Sequence, residues 1–543
     1  MEKLPIVYVR GFAGSTAGIN KEVDDPFYGF NKGATHVRVN GDGDPSYYQF
    51  EGPLLRLMSD EGYQLLVHGD QHAYLTEAAP GAVPPESLWV YRFYDQAATT
   101  FVAPPHRSLV GGFFAKLHDS VTATGFDIET AAAGLYDLII LIREKTGADK
   151  VNLVAHSMGG LVARCMLQKV TQVKDAHDNP RLAARDIVAK LFTYGTPHGG
   201  IAFDISALNW AEEAFGPAGS DIFAPEKMYG YLTPGAEFGH TPKDPGSWDP
   251  QRVPPAIFAA DDIFCLIGTD PEDYGEPKLV VGPRSDGLVR IEHAYVRGAN
   301  RAYVHKSHSG SYGEVNSEEG YQNLRRFLFG RWRVEANLDG LGPPPPAADD
   351  QEVWQADMRL AVRGLPIIMS EQLAAHWCPI QLNQERARLG DSVDSPVPLV
   401  ATFLLDPAQQ PPQTQSAHEG RARYTLTLRV FKVPEQKGLF RFRDHLEQVP
   451  DWADTLIVDV APTADGTGLQ AWMAWNSQVY GAIDEFDPIT SGVPDASRDA
   501  VEFRQVGDAL TCAVDLPATA RALVILGKEA RLTLSVRERP EAA

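Results

Sequence analysis

Two different spacings of apolar positions divide this chain. In its first part, short apolar runs alternate with stretches of helical period. Ile6 to Val9, Leu88 to Phe93, Val151 to Val154, Lys190 to Tyr194, Ile263 to Ile267 and Ala302 to Val304 each read as a strand. Between them, residues 127–145 put Leu135, Leu138, Ile139 and Ile142 on one helical face, with Asp127 as a cap and Glu129 in the first turn. Met158 to Val170 returns to helical spacing, and 317–330 reads as a closing helix. Strands alternating with helices predict βαβ units around a mainly parallel sheet.

The second part changes period. Tyr424, Leu426, Leu428 and Val430 alternate with Arg423, Thr425, Thr427 and Arg429, and Leu532, Leu534 and Val536 alternate with Arg531, Thr533, Ser535 and Arg537. Leu399 to Leu405, Leu456 to Val460, Leu510 to Val514 and Leu523 to Leu526 are further strand candidates, and the polar stretch from Asp406 to Gly420 reads as a loop. Period two with Gly, Pro and Asp punctuation predicts an all-β, sandwich-like domain. Between the two parts lies Gly342-Pro343-Pro344-Pro345-Pro346. Consecutive prolines fix φ and favour a stiff spacer. The expected organisation is therefore 1–335, a linker over 336–350, and 351–543.

Composition narrows the function. The chain has 543 residues and a net charge of −22. Both sides of residue 350 are acidic, so a nucleic-acid phosphate backbone would be repelled, as would an anionic lipid surface. The four cysteines, Cys165, Cys265, Cys378 and Cys512, are far apart and match neither a disulfide framework nor a zinc pattern, although one pairing such as Cys378 with Cys512 stays open. No apolar stretch is long enough to predict a transmembrane helix. Met1-Glu2-Lys3-Leu4-Pro5 runs directly into an apolar strand, which leaves no room for a signal peptide. The expectation is a cytoplasmic protein, or a secreted one if a leader has been removed. His68, Asp70 and His72 alternate as metal ligands could, but three groups on one short segment without a fourth make no site, and Asn40 to Asp44 lacks the later Glu of a calcium loop.

The most informative segment is Val151-Asn152-Leu153-Val154-Ala155-His156-Ser157-Met158-Gly159-Gly160. A strand enters a tight turn and a helix leaves it. A serine at that apex has its Oγ raised above the sheet, and small residues two before and two after it let strand and helix approach. Helix capping is the plainer reading of such a serine. The segment resembles the nucleophile elbow of the α/β-hydrolase superfamily, in its lipase and esterase branch, with Ala155 in place of the usual first glycine.

That resemblance extends over most of residues 5–330. Arg10-Gly11-Phe12-Ala13-Gly14 is similar to the family's HGxxG oxyanion loop, with Arg10 replacing His, and implies oxyanion donors from the backbone amides of Phe12 and Met158. Tyr194-Gly195-Thr196-Pro197-His198-Gly199-Gly200 is similar to the GTPHxG segment, a structural turn, so His198 is not the base. Ser285-Asp286-Gly287-Leu288-Val289 resembles the acid loop, which makes Asp286 the orienting carboxylate, with Asp262, Asp270 and Asp273 as competitors. Lys306-Ser307-His308-Ser309-Gly310 resembles the loop before the last helix, which makes His308 the general base, with His305 as the rival.

Two long insertions, 15–86 and 201–262, are rich in aromatics. Loops this long are uncommon in compact domains unless they are functional, so they read either as a cap with an acyl pocket, in which Trp210 and Tyr231 would line the substrate, or as an extra packing layer. Trp472 and Trp475 read as core residues of the sandwich or as a sugar-stacking platform. The expectation is a carboxylic ester hydrolase with a Ser157–His308–Asp286 triad, no metal and no cofactor, acting on a small-molecule or lipid ester. A phospholipase or lipid deacylase is the alternative within the superfamily. A binding protein on a hydrolase scaffold is the alternative outside it.

Overall fold

The computed structural model describes residues 3–11, 36–39, 45–48, 52–66, 71–91, 93, 127–175, 178–201, 222–272, 281–309, 313–341, 352–363, 365, 367–382, 396–405, 422–434, 449–462, 469–479, 503–507 and 509–539. The first strands are β1 (Ile6–Val9), β2 (His36–Val39), β3 (Pro45–Tyr48), β4 (Leu88–Tyr91), β5 (Val151–His156), β6 (Val188–Tyr194), β7 (Ile263–Gly268) and β8 (Asn300–Val304). Six of them form one sheet in the order β4-β1-β5-β6-β7-β8, while β2 and β3 pair separately inside the first insertion. The β1–β4, β1–β5, β5–β6 and β6–β7 pairings are parallel. Strands covered on both faces read as continuous apolar runs rather than alternations. Accordingly, every residue of β1, β5 and β7 is buried.

The helices follow their local signals. Ile128–Thr146 starts at Asp127, whose side chain accepts the Glu129 amide at 3.0 Å, and ends on Gly147 in the left-handed region at φ 74°. Its buried face carries Leu135, Leu138, Ile139 and Ile142. Met158–Gln168 is buried throughout, and Glu318–Phe329 is the closing helix. Chain order in the sheet reverses between β1 and β5, since β4 lies on one side of β1 and β5 on the other. Open α/β sheets bind ligands outside the carboxyl ends of the strands at such a switch point. The Arg10-Gly11 and Ser157 turns both leave strands there.

The remaining strands are β9 (Trp332–Asp339), β10 (Glu352–Val362), β11 (Ile368–Gln372), β12 (Ile380–Gln381), β13 (Val397–Leu404), β14 (Ala422–Pro434), β15 (Trp452–Pro462), β16 (Leu469–Trp475), β17 (Arg504–Val506), β18 (Ala509–Asp515) and β19 (Arg531–Glu538). They make two antiparallel sheets, β11-β10-β14-β15-β16 with β12 on β10, and β13-β9-β19-β18-β17. One apolar core takes Met358, Leu428 and Leu456 from the first sheet and Leu338, Leu532 and Leu534 from the second. This is the sandwich that the alternation predicts. Chain contacts divide the molecule into two compact units, one comprising Met1–Arg301 and Lys306–Leu324, the other Ala302–His305 and Arg325–Pro540.

Two expectations change, and the core reading of the two tryptophans holds. The boundary moves upstream, because β9 pairs with β13 and β19 and so belongs to the sandwich. The proline run, which lies outside the described residues, therefore sits between two strands of the β unit and does not separate the domains. Leu523 to Leu526 form turns rather than a strand, with Ile525 and Leu526 buried in the sandwich core. Trp475 is packed edge-on against Trp452 at 5.8 Å and its Nε1 donates to Asp515 O at 2.9 Å, and Trp472 is also buried, so neither makes an exposed platform. No disulfide joins the four cysteines, which are all buried. Among the described residues no helix is long and apolar enough to cross a membrane. The Asp406 to Gly420 segment lies outside the described residues.

Two outcomes follow for stability. A fragment ending at residue 342 keeps β9 without its partner strands, and unpaired strand edges promote aggregation. It is expected to be less soluble than a fragment ending at 330, as measured by recovery after expression and centrifugation. Within the sandwich, Arg423 donates from Nε and Nη2 to the two Asp459 oxygens at 2.6 and 2.7 Å, with both side chains buried. Arg423→Ala strands a buried charge and should cost about 3–5 kcal/mol, whereas replacing both partners by apolar residues of similar size should cost much less. Thermal unfolding of the two variants measures the difference.

Candidate active site

Ser157 stands where β5 ends and the Met158–Gln168 helix begins. Its φ of 52° and ψ of −127° are unusual for a residue with a side chain. The position stores strain, which persists only where the surroundings enforce it. Those surroundings are close backbone contacts. A Cβ on Gly159 would lie 2.3 Å from Val9 O, and one on Gly160 would lie 2.1 Å from Thr196 Oγ1. The helix can therefore press against both β1 and the Gly195–Gly200 turn only because these positions are glycine. Ser157 makes no side-chain capping bond to that helix, so its Oγ is left for other chemistry. Gly11 backs onto the same turn, with room for a Cβ only 3.1 Å from the Ser157 Cβ.

The partners of Ser157 come from two later loops. His308 Nε2 lies 2.9 Å from Ser157 Oγ, and its Nδ1 lies 2.8 Å from Asp286 Oδ2. Asp286 is oriented by its own turn: Oδ1 accepts the amides of Leu288 at 2.9 Å and Val289 at 2.7 Å. The main chains are tied together as well, since the His308 amide donates to Asp286 O at 2.9 Å. With Asp286 accepting from Nδ1–H, Nε2 carries the lone pair that faces the Ser157 hydroxyl. This is the arrangement a hydroxyl needs to lose its proton as it attacks.

Burial shifts the titration of the neighbouring groups. His156 is fully enclosed; desolvation, and then the nearby His308, hold its pKa well below that of ordinary histidine. Its Nε2 lies 3.1 Å from His308 O, where a neutral ring donates and fixes the His308 loop. Glu314, also fully buried, is pushed well above the usual carboxylate range by desolvation and then by the Asp286 charge. His198 is held well below the ordinary histidine value by burial and then by Arg164. Arg164 itself falls to about 10 through burial. Its guanidinium donates to Gln168, His198 O and Pro250 O at 2.9, 3.1 and 2.7 Å, which clamps the helix to the turn and to the second insertion.

The structure thus brings Ser157, Asp286 and His308 together. Met158 opens the helix beside Ser157, where backbone amides point outward at the positive end of the helix dipole. Phe12 and Trp210 lie outside the described residues. Tyr231 is buried beside Arg164 and Cys165, with its hydroxyl donating to Ile222 O at 2.7 Å, and no hydrogen bond or ring contact joins it to the triad. Its aromatic ring fills core rather than reaching the serine. His305 is exposed and stacks on His376 at 3.6 Å. His198 sits against Thr193 Oγ1 and Cys265 Sγ. Of the rival acids, Asp270 accepts the Glu272 amide within its own turn and Asp273 lies outside the described residues. His156 and Glu314 are the two groups of the centre that sequence reasoning missed. His156 stood inside the quoted elbow, but Glu314 carried no local signal.

Among the described residues, His156, His308 and Glu314 are the one group with metal-ligand spacing. A metal there would compete with the bonds from His308 to Asp286 and Ser157 and from His156 to His308 O.

Comparison with known proteins adds the following. Residues 112–215 match the family described as "Putative serine esterase (DUF676)", a stretch that contains the Ser157 elbow and the Gly195–Gly200 turn. No curated protein matches the chain. Among solved structures, the mature form of Bacillus licheniformis lipase BlEst2 is 16% identical, with 58% of this chain and 88% of that chain covered at a TM-score of 0.25. Its propeptide form is 11% identical, with 87% and 96% covered at a TM-score of 0.30. Aspergillus fumigatus lipase B is 12% identical, with 56% and 44% covered at a TM-score of 0.24. Scores this low leave the weight on sheet order and site geometry. The sheet order is that of an α/β-hydrolase fold, followed in sequence by a separate antiparallel β unit.

His308→Ala should abolish most turnover, whereas His305→Ala, which removes an exposed ring stacked on His376, should cost far less. Initial rates on an activated ester distinguish the two, and an inactive His305 variant would reverse the assignment of the base.

Proposed function

We propose that this chain is a serine carboxylic ester hydrolase that works through an acyl-enzyme. Ser157 Oγ attacks the acyl carbon as His308 Nε2 takes its proton. The amides of Phe12 and Met158 receive the oxyanion, the latter aided by the helix N-terminus. The imidazolium then protonates the leaving alkoxide, and a water activated by the same ring releases the acid. Asp286 holds the ring in the required tautomer and stabilises the imidazolium. The scheme uses no cofactor. The observation that supports it is the continuous hydrogen-bonded chain from Ser157 through His308 to Asp286, fixed at its far end by two amides.

The second insertion bears on substrate size. Ile222, Phe223 and Met228 are buried, and the Ile201 amide donates to Phe223 O at 2.8 Å, so this apolar segment lies against the Gly199-Gly200 turn. If these side chains wall the acyl site, acyl chains longer than acetate are favoured.

Ser157→Ala should lower turnover by a factor on the order of 10⁴–10⁶, since triad members act as a unit. Retention of about a tenth of parental activity would place the site elsewhere. In a panel of soluble esters, kcat/KM should rise up to about fourfold per added methylene, from roughly 0.8 kcal/mol per buried CH₂. The optimum is expected at roughly four to eight carbons. A preference for acetate removes the apolar wall, and faster turnover of phospholipid vesicles than of any soluble ester favours a lipid deacylase.

A further inference from the structure

Glu314 is the one buried acid of the centre that the proposed chemistry does not use. Its backbone is pinned: its amide donates to Ser307 O at 2.9 Å and its carbonyl accepts the Ser317 hydroxyl at 2.8 Å. The side chain is fully buried, and neither carboxyl oxygen has a hydrogen-bond partner of good geometry. Two glycines make the space it occupies. A Cβ on Gly195 would lie 2.2 Å from Glu314 Oε1, 2.9 Å from His308 Nδ1 and 3.0 Å from Asp286 Oδ2, and one on Gly268 would lie 2.7 Å from the Asp286 Cβ and 3.3 Å from Glu314 Oε2. A Glu314 oxygen also comes within 4.8 Å of ring nitrogens of His308 and His156. The carboxyl group therefore sits against the Asp286–His308 pair.

We propose that Glu314 is a positioning residue held as an uncharged acid against the Asp286–His308 pair, and that its ionisation at alkaline pH adds a second negative charge facing the imidazole and speeds the step that forms the imidazolium. The inference rests on the Ser157–His308–Asp286 reading. The groups facing Glu314 are Asp286 from the loop after β7, His308 from its own loop, His156 from the end of β5 and the Tyr194 ring from the end of β6. Among them, Asp286 repels a second carboxylate. Desolvation acts in the same direction, while the Gly268 amide opposes both more weakly. On ionisation the proton passes to solvent, and no other bond changes.

The test compares the parent with Glu314→Gln, which keeps size and polarity but cannot ionise. At neutral pH, infrared difference spectra should show a protonated buried carboxyl in the parent that is missing from Glu314→Gln. Thermal unfolding provides a second readout that is independent of activity. An acid whose folded pKa is raised contributes stability below its unfolded value of about 4.3 and loses it as pH rises toward the folded value. The parent should therefore fall behind Glu314→Gln in Tm as pH is raised from mildly acidic to alkaline. For the rate, kcat/KM of the parent should show a second rise at alkaline pH that Glu314→Gln lacks, while the acid limb stays in place. A charge about 5 Å away, in an effective dielectric of about 20, moves a neighbouring pKa by roughly two units. A Glu314→Gln acid limb displaced downward by one to two units would thus mean that Glu314 is already ionised at neutral pH, and would overturn the proposal. So would the absence of the infrared band, or an alkaline profile identical in both proteins. If neither protein reacts with a fluorophosphonate, the triad reading fails and the rate effect with it, while the infrared and Tm measurements still decide the charge of Glu314.

Discussion

The constraint on which the site depends is the turn at Ser157. A residue with a side chain is held at positive φ there, and what holds it is the closeness of the following helix to its neighbours. Gly159 lets the helix meet the carbonyl of Val9, and Gly160 lets it meet Thr196. Thr196 replies with a hydrogen bond from its hydroxyl to Ser157 O at 2.9 Å. Two turns further on, Arg164 anchors the helix to the His198 and Pro250 carbonyls. A strained serine thus rests on a helix that is buried along its whole length, so relaxing the turn would mean moving the core. The strain serves exposure of the hydroxyl, and packing elsewhere sustains it.

Around that turn, burial shifts the titratable side chains. Histidines are pushed toward the neutral form and Glu314 toward its acid form by one cause, the loss of water. Two amides and an imidazole N–H converge on Asp286. A single oriented carboxylate in a dry setting acts more strongly on the imidazole than it would among other ions.

Much of this was legible in the chain itself. Small residues around Ser157, the Asp-Gly turn at 286–287 and the histidine before the last helix are local patterns, and each carries its own backbone reason. The helix at Ile128–Thr146 was equally plain, since capping by Asp127 is a contact between near neighbours. Illegible features were those that depend on distant segments. Glu314 acquires its setting from Gly195 and Gly268, which no pattern near residue 314 reveals. Tyr231 looked like a pocket aromatic, yet a partner carbonyl nine positions earlier draws it into the core. The domain boundary misled for a related reason. A proline run marks a stiff segment but does not say whether the strands beside it pair across it, and β9 pairs with strands far downstream. Leu523 to Leu526 were apolar enough for a strand, but their burial is achieved by turns.

The cysteines have a consequence for chemical access to this protein. Cys165, Cys265, Cys378 and Cys512 are all enclosed. Burial raises the thiol pKa of Cys165 and Cys265, and pushes that of Cys512 up to about 12. A thiol that neither meets solvent nor ionises is a poor nucleophile. The native chain therefore offers a silent background to alkylating reagents. Exchanging the oxygen at position 157 for sulfur would create a lone addressable thiol at the mouth of the site. A fluorophore, spin label or crosslinker could then be delivered to position 157 with every native cysteine left in place.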